Sequence, residues 1–448
     1  MFKRIITLLA IFLLTLSVKA TTLEHYQAML QPSQAKQDIE QWLTFIDKTH
    51  PDLSYTVKDI NGFYQQVNDF KKSITKSISV REFWLKMMTF NSLMSDGHAS
   101  ITPTARNSLI KSYLNNGGTL FPFTVKFDNE KLIIKSKLNG SATKLAGCRI
   151  TKINGLSIDE VLTPLIERTH GDSHEHRKVI LETRFAAYYW MMFGEQKQFS
   201  LDITKGDINI ANISIEAASE IAAKDSSFEA NFQFSQINEN TGLLTVNTFL
   251  WLEDEARVFD FFESTFKQIK ENKLTHLIIN IRRNGGGDDH FWKQGIVKYI
   301  ANKPWKSGSN YKVKVIAGRV GKDQKEGDVV EGEITTIEQV DTDNPLRFTG
   351  KVSVLVSPYT YSSSILFTNT MQDHGFGTLI GDKTGGKSGQ SGGIQRITLT
   401  NSNLTSVIPR FWLARPSGTD NLALITLDKI ISYDPLQPEQ LIDKLLAE

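Results

Sequence analysis

The sequence predicts a multidomain α/β protein, with a helical first part, a β-rich middle and a C-terminal half in which strands and helices alternate. Three observations carry this expectation. Up to about residue 95 apolar residues recur at helical spacing, as in Phe63, Val67, Phe70 and Ile74. From about Gly117 the period shortens to two. Beyond residue 240, strand-like runs such as Thr-His-Leu-Ile-Ile-Asn-Ile (275–281) and Lys-Val-Ser-Val-Leu-Val-Ser (351–357) are separated by helix-length segments, the pattern of a mainly parallel sheet with crossovers.

The first twenty residues read as a processing signal. Lys3 and Arg4 open it, residues 5–16 are apolar apart from threonine, and Val18-Lys19-Ala20 fits a small-residue cleavage site. The apolar run is too short to cross a bilayer, which takes about 20 residues. No later run is apolar for long enough, so no stable membrane insertion is expected after cleavage. There is no cysteine at the cleavage point for a lipid anchor. With 448 residues the chain exceeds one ordinary core. The expected divisions are a helical domain over 21–112, a β module over 113–170, a connector over 171–230 and an α/β core over 231–448.

In the helical part, Ser79-Val80-Arg81-Glu82 has the form of a capping box. The helix behind it runs toward Ser95-Asp96-Gly97-His98, where Gly97 is expected to end it and to leave His98 on a loop. In the β module, residues 121–127 and 131–135 alternate like strands around an Asp128-Asn129 turn, and Asn154-Gly155 marks a second hairpin. In the core, 242–249 reads as a strand and 253–271 as an amphipathic helix. A strand at 275–281 then runs into Gly285-Gly286-Gly287, and 351–357 is a buried strand that turns at Pro358 into a helix starting near Ser363.

A net charge of +2 gives no electrostatic case for nucleic acid. The single cysteine, Cys148, allows no intramolecular disulfide and reads as a small buried hydrophobe. His170, His174 and His176 lie close together without a matching ligand set, so neither a metal nor another cofactor is expected, and they read as a solvated helix start.

Ser362 stands at a strand-to-helix junction, which exposes a hydroxyl above the sheet edge and aims free helix N–H groups at a reacting carbonyl. The N–H of Ser363 is one candidate oxyanion donor, and Gly285 or Gly286 at the end of the neighbouring strand is the other. Taken alone, a serine placed as Ser362 is in Tyr361-Ser362-Ser363-Ser364 is more often a helix cap than a nucleophile. Gly285 to Gly287 lack the Gly-Lys-Ser/Thr ending of a phosphate loop and are followed by Asp288 and Asp289.

Together these segments resemble the tail-specific, or C-terminal-processing, serine protease family with its tricorn-core-like relatives. The resemblance rests on Ser95-Asp96-Gly97-His98, Ile153-Asn154-Gly155, Arg282-Arg283-Asn284-Gly285-Gly286-Gly287, Thr360 to Ser364, and Gly381-Asp382-Lys383-Thr384-Gly385-Gly386-Lys387. It covers most of residues 90–440. It implies a ClpP/crotonase-like α/β protease core, with a PDZ-like β module in which Gly117 to Phe121 stand where a peptide carboxylate is bound. It also implies a nucleophile at Ser362 and protein or peptide substrates.

The general base stays open between two residues. Lys387 stands twenty-five positions after Ser362, the spacing of the processing proteases, with Asp373 at another acidic position of that pattern. His98 matches the histidine of the tricorn-like branch, and Asp420 the acid that supports it. A lysine base must fall from about 10.4 to near neutrality, which costs about 4 kcal/mol, whereas histidine at about 6.5 needs almost no change. Spacing favours Lys387 and cost favours His98. Ile365 and Asn280 replace a glutamate and an aspartate common in the family, which bears on positioning more than on reaction class. The expected function is an exported, periplasmic or extracellular, serine endopeptidase acting on unfolded or C-terminally recognised chains. The alternatives are a catalytically silent binding protein on the same fold, or a non-peptidase acyl hydrolase.

Overall fold

The computed structural model describes residues 23–447, so the expected signal segment at 1–20 lies outside the described residues. Its C-terminal half is built on a six-stranded sheet. The strand order is Phe232–Gln236, Thr241–Val246, His276–Asn280, Lys351–Leu355, Thr378–Gly381 and Lys429–Ile430. The first two pair antiparallel as a hairpin and every later pairing is parallel, as the alternation of strands and helices predicted.

The sheet is covered on both faces, which is why its strands read as continuous apolar runs. Leu277, Ile279 and Val354 pack under Val258, Phe262 and Phe266 of helix Glu255–Glu271 and under Phe367 and Met371 of helix Ser363–Asp373. Ile278, Leu355 and Ile380 point the other way, onto Leu441 and Leu445 of helix Gln440–Leu446. Asn280 is registered with Leu355 on the neighbouring strand. The turns that follow these two strands, at Gly285 and at Ser362, therefore leave the sheet side by side at its carboxyl edge, where open parallel sheets place their sites.

The middle of the chain forms a second sheet from Phe123–Asp128, Lys131–Lys137, Arg149–Ile153, Gln198–Lys205 and Ile208–Glu216. Asn154 and Gly155 both take positive φ in the turn after Arg149–Ile153, as a two-residue hairpin requires. The expected boundary at residue 170 does not hold. Gln198–Lys205, assigned to a connector, pairs with Arg149–Ile153 and completes this sheet. Nor is the helical part a separate unit. One core joins Trp42, Phe63, Trp84 and Met94 of the helices to Leu132, Ile150 and Leu201 of the sheet. The Gly117 to Phe121 loop also departs from expectation. The N–H groups of Gly117, Gly118 and Leu120 are donated to Leu114, Tyr113 and Ala218 within the fold, so three of the backbone donors proposed for a carboxylate are already used.

Two further expectations are corrected. Helix Phe90–Met94 ends on Ser95 in the left-handed region, not at Gly97. Gly97 is small for another reason: a Cβ there would lie 2.5 Å from the Tyr361 ring. The histidines are not a solvated helix start either. His174 is exposed, but His176 is buried against Tyr361 at 4.3 Å between ring centroids, because helix His174–Glu182 turns this face toward the core. Cys148 is buried, as expected of a small hydrophobe.

Candidate active site

The turn carrying Ser362 is anchored to the turn carrying the glycines. Ser357 Oγ donates to the Arg282 carbonyl at 2.6 Å, Thr360 Oγ1 to Ile281 at 3.1 Å, and the Tyr361 N–H to Asn284 at 3.2 Å. Ser362 itself sits at φ 58°, ψ −127°, a conformation that L-residues avoid and that costs about 1–3 kcal/mol. The three bonds into the glycine turn hold it there. In this conformation Ser362 makes no side-chain cap bond to helix Ser363–Asp373. Glycine is required opposite: Gly286 has φ 106°, and a Cβ on it would lie 2.6 Å from the Ser362 Cβ.

The Ser362 Oγ meets His98 Nε2 at 3.0 Å. His98 is held from behind, its Nδ1 lying 3.0 Å from Ser391 Oγ, which donates to Asp96 Oδ1 at 2.8 Å. Asp96 Oδ1 also accepts the His98 backbone N–H at 2.7 Å. Because the single hydroxyl hydrogen of Ser391 goes to Asp96, its oxygen is left to accept from Nδ1–H. That assigns the neutral tautomer with a bare Nε2. The strand after His98, Ser100–Pro103, pairs with Leu404–Ile408 and fixes the loop to the C-terminal part of the chain.

Burial lowers the His98 pKa below the ordinary 6.5, opposed by the nearby Asp96 and Asp172 carboxylates. Burial, joined by the Asp172 charge, pushes Asp96 up. A desolvated imidazole favours its neutral form, the form able to take a proton.

The oxyanion candidates separate. The Gly286 N–H is donated to Asn284 Oδ1 at 2.9 Å, so its donor is committed. The N–H groups of Ser363, Gly285 and Gly287 carry no acceptor among the described residues. The Ser363 side chain is pinned by Asp289, which accepts its hydroxyl, and by Trp292 Nε1, which donates to it at 3.0 Å. Burial pushes the Asp289 carboxyl up.

Of the other expected residues, Lys387 is close in sequence to Ser391 but aims elsewhere. Its ammonium donates to the carbonyls of Ser95 at 2.9 Å and Tyr55 at 3.4 Å, and no bond joins it to Ser362. Asp373 forms an ion pair with Arg415, and Asp420 lies in a turn at φ 51° whose carbonyl receives Ala423 N–H. Neither contacts His98. Of the residues that do surround it, Asp96 and Tyr361 stood inside the motifs singled out in the sequence without a role of their own. Ser391 and Asp172 carried no local signal. Among the described residues no group of His, Cys, Asp or Glu could hold a metal ion, and no helix is long and apolar enough to cross a membrane.

A hydroxyl on a strained strand-to-helix turn, facing a neutral imidazole, defines the class of serine hydrolases. Comparison narrows the class. Residues 240–424 match the model of peptidase family S41. The matched region holds Ser362 and the glycine turn but not His98, and it marks the chain as a serine-type peptidase. The fold is shared with solved structures of mature CPAF. The lactacystin complex is 12% identical, with a TM-score of 0.65 over 93% of this chain and 98% of that one. A further structure of mature CPAF is 11% identical, with a TM-score of 0.64 over 93% and 97%. No curated protein matches the sequence.

Proposed function

We propose that this chain is an exported serine endopeptidase in which Ser362 is the nucleophile and His98 the general base. The observation that carries the reading is the 3.0 Å contact between Ser362 Oγ and the bare Nε2 of His98. It lies within hydrogen-bond reach, and the base is oriented in turn by a third group. Ser362 Oγ attacks the peptide carbonyl carbon while its proton passes to His98 Nε2. The imidazolium so formed is stabilised through Ser391 and Asp96. His98 then gives the proton to the departing amine. A water molecule, deprotonated by the same nitrogen, then attacks the acyl carbon; the bond to Ser362 Oγ breaks, and the imidazolium returns its proton to that oxygen.

The oxyanion would be held by the Ser363 N–H at the head of helix Ser363–Asp373, where the helix dipole helps. The second donor would come from the glycine turn. With Gly286 committed to Asn284, the available groups are Gly285 and Gly287. The Lys387 ammonium, bonded to two carbonyls, is assigned a structural role instead. Export to the periplasm or cell exterior rests on the basic start, apolar run and small-residue site of residues 1–20.

The test is digestion of unfolded casein by the mature chain beside Ser362→Ala, His98→Ala and Lys387→Ala. Cleavage lost in the first two and kept in the third is expected. Cleavage that survives Ser362→Ala would overturn the nucleophile. Loss in Lys387→Ala with retention in His98→Ala would reverse the base.

A further inference from the structure

The catalytic serine and histidine come from segments 264 positions apart, and one carboxylate touches the segments that carry both. Asp172 lies between helices Ile158–Glu167 and His174–Glu182, outside the region that matches the peptidase model. Its Oδ1 accepts the Gly97 N–H at 2.8 Å, one residue before His98, and the Tyr361 hydroxyl at 2.8 Å, one residue before Ser362. Its Oδ2 accepts the Lys387 N–H at 2.9 Å, with Gln390 Nε2 at 3.5 Å, on the stretch leading to Ser391. The Tyr361 hydroxyl closes the arrangement by also accepting the Gly97 N–H at 3.0 Å. Asp172 is itself anchored, because its N–H is donated to His176 Nδ1.

We propose that Asp172 is a positioning residue that assembles the Ser362–His98–Ser391 array, contributed by the β-rich part of the chain to the peptidase core. The inference rests on the Ser362–His98 reading and deepens it. Every group on Asp172 is a donor, so only a side chain that accepts at both oxygens satisfies the site. An asparagine of the same shape would set its NH₂ against either the Lys387 N–H or the Gly97 N–H and Tyr361 hydroxyl. The segment it faces would shift, and a displacement of about 1 Å at reacting atoms costs roughly 100-fold in rate.

The experiment compares Asp172→Asn and Tyr361→Phe with the parent, in the full mature chain, on one peptide substrate across pH. For Asp172→Asn the expected result is a kcat reduced about 100-fold with KM changed only a few-fold. The acid limb of kcat/KM should also move to lower pH, because a charge that raises the His98 pKa is gone. The other titratable groups around His98, namely Asp96, His176 and Tyr361, are unchanged in that variant. Loss of packing alone would not move that limb. Tyr361→Phe keeps the ring and removes the hydroxyl's bonds to Asp172 and to the Gly97 N–H while leaving the carboxylate in place, so a smaller fall in kcat at constant KM is expected, and it serves if Asp172→Asn does not fold. A folded Asp172→Asn with parental kcat and an unmoved limb overturns the proposal, as does a Tyr361→Phe with parental kcat. A parent whose cleavage does not depend on Ser362 overturns the underlying reading and this one with it.

Discussion

The two halves of the proposed site, one carrying Ser362 as nucleophile and one His98 as base, are built in opposite ways. The nucleophile half comes from adjacent parallel strands, His276–Asn280 and Lys351–Leu355, and the turns that follow them. Its parts are held by backbone register and by short hydroxyl-to-carbonyl bonds within the peptidase core. The base half is gathered from residues 96–98, 172 and 391, which share no strand pairing with one another and meet through side chains. The first half inherits its geometry from the sheet. The second depends on a few buried polar contacts, each expensive to leave unmade. The difference teaches where the enzyme should be robust and where single substitutions should act far beyond their size.

The largest effect should come from the contact that joins the halves. Ser362→Ala or His98→Ala should lower kcat by as much as about 10⁶-fold, and the double variant should be little worse than either, because the two act as a unit. Additive losses in casein or peptide kinetics would mean that the halves work independently. The next effect probes the base half alone. Ser391→Ala removes the link from His98 Nδ1 to Asp96 and should cost roughly 100-fold in kcat with KM nearly constant. An unchanged kcat would leave the imidazole held by its backbone alone.

The pH profile sharpens the comparison further. The base must be unprotonated, and His98 has its pKa lowered below 6.5 by burial. Activity should therefore be complete at pH 7 and fall only as pH drops below about 6.5. A rate that climbs steadily toward pH 10 would instead indicate a lysine base. The smallest effect is expected at Lys387→Ala, measured by kcat and by thermal melting. Loss of its bonds to Ser95 and Tyr55 should cost about 1 kcal/mol of stability, with kcat changed no more than a few-fold.

How much of this was legible in the sequence follows the same division. Strands 276–280 and 351–355, the helix from Ser363 and the glycine turn each left a local pattern of apolar period and turn residues. The strand-to-helix junction at Ser362 could be placed from them. His98 was legible as a loop residue and as one of two candidate bases for Ser362, but the choice between them was not, because the spacing of Lys387 pointed as strongly to the other. The buried His176 was misread for the same reason. Local polarity says nothing about which segment will pack over it.

The sequence by itself determined the α/β core, the order of its strands and helices, and a serine poised at the carboxyl edge of the sheet, since these follow from interactions between near neighbours in the chain. Only the tertiary structure decided the rest. It set the side-chain amine of Lys387 on two carbonyls, committed the Gly286 N–H to Asn284, and brought Asp172 and Ser391 around His98. Those choices rest on the directions of hydrogen-bond donors separated by up to several hundred residues. Such directions are defined only once the core has closed.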